Sequence, residues 1–153
     1  MYGCIWVDGK YDGISESVAK YIEKVDSERV NNRKALGFGI ETTKEWLQRT
    51  YNISVRSLYE CICKNEAYRE IDAPSTIKTR YILEDVPNGL VPEEHLGKII
   101  GVENLYCTTI INLASSVCYI DFRGEGRRVS LDTLKLYILG FWAIAWCVNF
   151  LKK

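Results

Sequence analysis

Apolar residues recur at helical spacing near the start of the chain. Between residues 14 and 36 they fall at intervals of three and four, which places them on one stripe of an amphipathic helix. The stripe comprises Val18, Tyr21, Ile22 and Val25. Ser15 suits the N-cap of this helix, and Gly37 suits the position after its end, where a left-handed backbone is common. The pattern therefore predicts a long first helix over residues 14–36.

Two shorter helices follow. The second starts at Thr42, and Glu45 three residues later completes the pattern of a capping box. The third starts near Ser54. Their apolar faces are Trp46, Leu47 and Tyr51 in the second helix, and Val55, Leu58, Tyr59 and Ile62 in the third.

Helical periodicity returns in the second half of the chain. A proline at the first turn and Gly101 at the end delimit a helix over residues 92–100. Asn104 can cap a further helix. The side chains of that helix predicted to face inward are Tyr106, Ile110, Leu113, Ala114 and Val117.

Breaks separate these helices. Residues 65–78 are polar and contain a proline, which indicates a loop or a string of turns. Pro87 ends or kinks any helix that reaches it, and Asn88-Gly89 is a turn pair. No segment shows the alternation expected of a strand. The chain is therefore predicted to be all-α, a compact bundle of five to seven helices.

The segment over residues 136–151 carries no charge. A membrane span needs ~20 apolar residues, whereas sixteen reach only ~24 Å as a helix. A helix buried in the core or in an oligomer interface is therefore favoured, with a membrane-anchored tail as the alternative. The side chains expected to be covered are Phe141, Trp142, Ile144 and Trp146.

Charge and cysteine usage narrow the class of protein. The 153 residues hold 20 Lys and Arg against 20 Asp and Glu, and this balance argues against a dedicated nucleic-acid binder. Six cysteines are present, but none forms a C-x-x-C pair, so a zinc site is not indicated. Residues 1–10 lack the basic start of a signal peptide and carry an acid at position 8, so we expect none here. We expect reduced, mostly buried thiols in a cytoplasmic protein.

Familiar catalytic motifs are missing. The G-x-G runs at 37–39 and 124–126 do not complete a dinucleotide-binding turn. The only histidine is His95, and a lone helical histidine near apolar residues is more often structural than catalytic. A cluster of arginines could hold an anion, although such clusters are more often solvated. It comprises Arg123, Arg127 and Arg128.

The run over residues 73–92 combines charged and apolar residues in an unusual way. Arg80 and Glu84 are neighbours four residues apart on a helix, and Asp85 lies just before the bend at Pro87. An acid beside a fixed bend can be held rigidly toward a partner. The alternative is an exposed Arg80–Glu84 ion pair before a turn.

These residues resemble a known family. Residues 80–92 read R-Y-I-L-E-D-V-P-N-G-L-V-P, which is similar to the signature of the C-terminal helical domain of opine dehydrogenases, the octopine/nopaline dehydrogenase family. The segments Y-D-G-I-S-E-S-V-A at 11–19, D-S-E-R at 26–29 and D-F-R-G-E-G-R at 121–127 resemble other motifs of that family. The resemblance covers roughly residues 11–128, in order.

The resemblance implies a fold and a reaction. The fold would be like the helical second domain of opine dehydrogenases, of the 6-phosphogluconate dehydrogenase C-terminal type. Family members condense an amino acid with a 2-keto acid and reduce the imine with NADH or NADPH, which a separate Rossmann domain binds. Asp85 would pair with a catalytic histidine, and Arg80 would clamp a substrate carboxylate. Tyr81 and Glu84 would complete the substrate-binding residues.

Departures from the family qualify this expectation. The family's catalytic histidine lies upstream of the Y-E-G-I motif, and neither it nor the Rossmann domain is in the chain. Asn88 stands where the family usually has tyrosine. We therefore expect the chain to bind no cofactor and to be inactive alone. Its expected partners are the amino-acid and 2-keto-acid substrates, a Rossmann domain supplied elsewhere, and a second copy in a homo-oligomer, with no nucleic acid and no membrane.

Two alternatives remain open. The chain could be a non-catalytic remnant that keeps a dimerisation or amino-acid-binding role, or an unrelated helical interaction module with a membrane-seeking tail. The expected division is an interdomain remnant at 1–10, the helical domain at 11–135 and a hydrophobic C-terminal helix at 136–153.

Overall fold

The computed structural model of the chain describes residues 14–68 and 76–130, together with Asp132 and Leu134. Within these residues every regular element is helical, which confirms the all-α prediction. The α-helices of this part are α1 (Glu16–Ala35), α2 (Thr43–Tyr51), α3 (Leu58–Cys63), α4 (Arg80–Asp85), α5 (Val91–Ile100), α6 (Leu105–Cys118) and α7 (Phe122–Glu125). A 3-10 turn (Glu66–Tyr68) follows α3, and a π-helical turn (Val86–Leu90) joins α4 to α5.

Local capping fixes both ends of α1 and the start of α2, as the sequence predicts. The hydroxyl of Ser15 accepts the N–H of Val18 at 3.2 Å at the start of α1, and Gly37 follows its end with φ of 85°. At the start of α2, Thr42 and Glu45 form the complete capping box, because each side chain accepts the backbone N–H of the other residue.

Helix α3 begins later than predicted. The N-cap is Ser57, and not a residue near Ser54, because Ser57 and Glu60 form a second capping box. The carboxylate of Glu23 on α1 also accepts the N–H of Leu58, with 3.3 Å between oxygen and nitrogen. Two sets of acceptors therefore fix this start.

The chain runs from α4 to α5 through the π-helical turn. Pro87 interrupts the α-helical pattern, as predicted, but the Asn-Gly pair does not form a separate turn. The backbone N–H of Val91 donates to Val86, five residues earlier. The side-chain amide of Asn88 donates to the carbonyl of Glu84 at 3.0 Å and so ties the turn to the end of α4.

Two apolar clusters form the core. The larger lies between the π-helical turn, α5, α6 and α7, and its buried members are Val86, Val91, Ile111, Ala114, Cys118 and Phe122. The smaller lies between α2 and α3, and its buried members are Leu47, Leu58 and Cys61.

The inward face of α6 differs from the prediction. Cys107, Ile111 and Cys118 are almost fully buried, together with the correctly predicted Ala114. The predicted inward residues Leu113 and Val117 are instead 63% and 41% exposed. Because the helix carries two apolar stripes about 100° apart, the spacing alone did not distinguish them.

Acidic residues of α1 cap other helices. Asp26 is buried, and its carboxylate accepts the backbone N–H of Thr43 at 2.7 Å and the hydroxyl of the same residue at 2.9 Å. Glu28 is also buried and accepts the N–H groups of Tyr106 and Cys107 at 2.7 and 2.8 Å. Asp26 thus closes the start of α2, and Glu28 closes the start of α6.

The hydrophobic segment at 136–151 lies outside the described residues. Among the helices that are described, none combines the length and the apolar character needed to span a bilayer.

Candidate functional site

The four residues singled out in the signature lie together on α4. At 100° per residue, Arg80, Tyr81, Glu84 and Asp85 fall within about 140° of the helix circumference. Ile82 points away from this arc and packs against the larger core cluster. The packing of one apolar residue therefore turns the polar half of the helix outward.

Arg80 lies over its neighbour on this surface. Its guanidinium carbon is 5.7 Å from the centroid of the Tyr81 ring, which is cation–π distance. Arg80 and Glu84 are both exposed, and no ion pair joins these two described residues. The guanidinium is thus not occupied by the intrahelical ion pair that the spacing allowed. Asp85, the last residue of α4, is half-buried.

Large apolar side chains surround these polar groups. Ile77 is 50% exposed, Tyr81 41% and Leu83 39%. Together with Arg80, Glu84 and Asp85 they form what we call the α4 surface. Exposed apolar groups concentrated beside charged ones are typical of a surface that meets a ligand or another domain.

A buried ion pair joins α5 to α7. Glu94 is fully buried, and its two oxygens accept hydrogen bonds from Nε and Nη2 of Arg123 at 2.9 and 2.7 Å. Lys98 and Thr108 also donate to the carboxylate. These donors, above all Arg123, hold the pKa of Glu94 at about 2 against the opposing effect of burial.

The ion pair separates Arg123 from the other two arginines of the cluster that was considered as an anion site. Arg123 is bound to Glu94 and to Asn112, so this arginine has a structural role. Arg127 and Arg128 are exposed. Sequence reasoning missed Glu94, although its position three residues after the buried Val91 put it on the same helix face.

Two surface grooves lie on other helices of the described part. One, of about 400 Å³, lies between α1 and α3, and its lining includes Lys20, Glu23 and Arg56. The other, of about 250 Å³, is lined by residues of α5, of α6 and of the loop between them, and includes Glu94 and Asn104. Neither groove is lined by a residue of α4.

Neighbouring atoms close off the glycine run at 124–126. In the run at 124–126, the N–H of Gly124 is taken by the side chain of Asp121. A Cβ at Gly126 would lie 2.6 Å from the carbonyl oxygen of Phe122 and 2.7 Å from Val91, so no room for a phosphate exists there. The part of the chain described by the structure also holds no cluster of three potential metal ligands.

Comparison with known proteins identifies the family. Residues 6–118 match the family described as NAD/NADP octopine/nopaline dehydrogenase, alpha-helical domain. The chain is 40% identical over 118 residues to the opine dehydrogenase of Arthrobacter sp. (strain 1C), and 28% identical over 109 residues to the vitopine synthase of Allorhizobium ampelinum. The chain therefore belongs to the octopine/nopaline dehydrogenase family through its alpha-helical domain.

The relatives are much longer than the match. The aligned part is 77% of this chain but 33% of the Arthrobacter protein, and 71% against 30% for the vitopine synthase. The chain thus spans about a third of the curated relatives that it matches.

A solved structure agrees with the fold. A structure of octopine dehydrogenase with NADH and L-arginine superposes with a TM-score of 0.64 at 18% identity, over 75% of this chain and 35% of that one. At this identity the likeness establishes the helical fold alone.

Proposed function

We propose that this chain is the substrate-binding helical half of an NAD(P)-dependent opine dehydrogenase-like oxidoreductase. The reaction is the reductive condensation of an amino acid with a 2-keto acid. A Rossmann domain, which the full-length members of the family pair with this helical domain, supplies the dinucleotide and the hydride. The substrates lie between the two domains, against the α4 surface.

The observation that carries the proposal is the composition of the α4 surface. Arg80 is an exposed guanidinium without an ion-pair partner among the described residues, and its planar fork suits a substrate carboxylate. Tyr81 and Glu84 line the same side. Apolar side chains at Ile77 and Leu83 provide surface that a second domain can bury.

Asp85 is assigned the role of holding a catalytic histidine. A carboxylate that accepts a hydrogen bond from an imidazole fixes its tautomer and stabilises the imidazolium formed on proton transfer. That histidine is assigned to a segment outside this chain, because the family's catalytic histidine precedes the motif that Y-D-G-I at 11–14 resembles. His95 lies on α5, after the signature. Without the histidine and a phosphate-binding turn, the chain alone binds no dinucleotide and turns over no substrate.

A chimeric enzyme tests this function. Residues 11–135 of this chain replace the aligned helical part of the Arthrobacter opine dehydrogenase, and oxidation of NADH and NADPH is followed with a panel of amino acids and pyruvate. We expect turnover by the chimera and none by this chain alone or by the truncated Arthrobacter protein. A folded chimera that oxidises neither cofactor contradicts the proposal, and so does turnover by the chain alone.

The assignment of Arg80 has its own control. Arg80→Ala in the chimera should raise the KM for a carboxylate substrate by roughly 10- to 100-fold, because a charge-assisted bidentate contact is lost. Arg56→Ala removes an arginine from the groove between α1 and α3 and should leave the KM unchanged. Equal effects of the two substitutions would contradict a specific role for Arg80.

A second candidate function rests on α6. Leu105 is 56% exposed and Leu113 63% exposed, on a helix that carries no charged residue. An uncharged apolar helix face suits a non-catalytic dimerisation module. Sedimentation of the purified chain with and without Leu113→Lys tests it: a dimer that the substitution dissociates favours this function, and a monomer at all concentrations rules it out.

A further inference from the structure

The π-helical turn contains a carbonyl that the helix itself cannot satisfy. The oxygen of Pro87 would accept from the N–H four or five residues later. Four residues later stands Val91, whose N–H donates to Val86 instead. Five residues later stands Pro92, which has no N–H. Pro87 is buried, so the oxygen needs a donor from elsewhere in the protein.

Arg127 supplies that donor through its main chain. Its backbone N–H donates to the oxygen of Pro87 with 2.9 Å between the two atoms. The approach requires glycine at the preceding residue. A Cβ on Gly126 would lie 2.6 Å from the oxygen of Phe122 and 3.0 Å from the oxygen of Pro87, and these are backbone atoms that cannot turn away.

Helix α7 fixes the place from which Arg127 reaches the turn. Phe122, its first residue, is 1% exposed within the larger core cluster. Arg123 is held by the buried carboxylate of Glu94 on α5. The segment of Gly126 and Arg127, which we call the strap, is therefore tied to the same helix that the π-helical turn leads into.

We propose that the strap is a positioning element for Asp85. This inference rests on the proposed function, because it takes Asp85 to be the residue that meets the catalytic histidine. Asp85 immediately precedes the turn, so a change in the turn's backbone also changes where the Cα–Cβ bond of Asp85 points. Without the donor from Arg127, the oxygen of Pro87 needs a water molecule as its partner. Water reaches this buried oxygen only if the turn opens, and that opening moves α4 relative to α5.

The test separates the main chain of Arg127 from its side chain. Arg127→Pro removes the donor, and the extended backbone of Gly126 (φ −74°, ψ 161°) suits a residue that precedes proline. Arg127→Ala keeps the donor and removes only the exposed side chain. NMR of the full 153-residue chain follows the amide exchange of Val91 and the carboxyl carbon shift of Asp85.

We expect Arg127→Pro to speed exchange at Val91 by roughly 5- to 100-fold, the range that follows from a lost buried hydrogen bond, and to shift the Asp85 carboxyl signal. Arg127→Ala should leave both unchanged. An unchanged Asp85 signal in a folded Arg127→Pro variant overturns the proposal. If that variant does not fold, amide exchange in the unmodified chain tests the proposal instead. There the amide of Arg127 must exchange as slowly as that of Val91. Rapid exchange at Arg127 overturns the proposal as well.

The chimera gives the functional readout. There Arg127→Pro should lower kcat by roughly tenfold or more with a smaller change in KM, since it misplaces a group used in the chemical step. Arg127→Ala should leave both constants unchanged. An inactive parent chimera would count against the proposed function alone, and the NMR result would still decide whether the strap positions Asp85. An equal loss of kcat in Arg127→Pro and Arg127→Ala would show that the side chain of Arg127, and not its backbone N–H, is what matters, and would overturn the proposal.

Discussion

The carboxylate of Glu28, in the middle of α1, accepts the backbone N–H of Cys107 at the start of α6, with 2.8 Å between Oε2 and the nitrogen. Its other oxygen accepts the N–H of Tyr106. The side chain of the N-cap residue Asn104 does not cap the helix and instead donates to Asn32 and to the carbonyl of Glu93. Glu28, which is distant in sequence, therefore caps the start of α6 in place of the side chain of Asn104.

Replacement of Glu28 by glutamine should destabilise the protein. Only one oxygen remains to accept, and the new amide group faces a backbone N–H that becomes buried without a partner. We expect the free energy of unfolding to fall by about 1–3 kcal/mol. Urea unfolding measures the loss, with the exposed Glu103→Gln as the matched control. Equal midpoints for the two variants would show that Glu28 does not stabilise α6.

The thiol of Cys107 should be unreactive. Burial and, after it, the neighbouring Glu28 raise the pKa of Cys107 well above its usual range. The thiolate, which is the reactive form, is therefore scarce at neutral pH. An aromatic disulfide reagent at pH 8 should modify the half-exposed Cys63 before Cys107, and Cys107 only as fast as the protein unfolds. Equally fast modification of both in the folded protein would be inconsistent with this arrangement.

The ion pair of Glu94 and Arg123 predicts a loss of stability in acid. The pKa of Glu94 is about 2 in the folded chain and near its ordinary 4.5 when unfolded. Because the folded pKa is the lower one, the stabilisation is complete above about pH 4.5 and disappears as the pH falls from there toward 2. Glu94→Gln should cost about 3 kcal/mol at pH 7, since it leaves a partly buried guanidinium unpaired.

Urea unfolding at several pH values checks this prediction. The advantage of the unmodified chain over Glu94→Gln should shrink by about 1–2 kcal/mol between pH 6 and pH 3, with allowance for screening at the partly exposed Arg123. Lys98→Ala, which removes an exposed partner of the same carboxylate, should cost less than about 1 kcal/mol. A difference that is independent of pH would contradict the assigned pKa.

The parts of the fold that depend on neighbouring residues could be predicted from the sequence. Ser15 and the Thr42–Glu45 box act within one helical turn, so the starts of α1 and α2 follow from local hydrogen bonds. The shared side of Arg80 and Glu84 is equally a consequence of helical spacing. These features need no knowledge of the tertiary structure.

The other parts depend on contacts between distant segments. Periodicity cannot decide which of two apolar stripes of α6 is buried, because the helices packed against it make that choice. The course of the chain through Pro87 depends on a donor at Arg127, and the cap of α6 depends on Glu28. For the same reason the α4 residues could be grouped from the sequence, whereas the hydrogen bond from Arg127 to Pro87 in the adjoining turn could not.

The role of Asp85 is the most direct test of the account. In the chimera of residues 11–135 with the Rossmann part of the Arthrobacter opine dehydrogenase, Asp85→Asn should lower kcat by roughly 10²- to 10⁴-fold, because the carboxylate that stabilises the imidazolium is gone. Glu103→Gln, an exposed acid outside the α4 surface, is the matched control for a lost surface charge, and its kcat should stay within about threefold of the parent. If the folded Asp85→Asn chimera turns over as fast as the parent, Asp85 is not the partner of the catalytic histidine and the central claim is wrong.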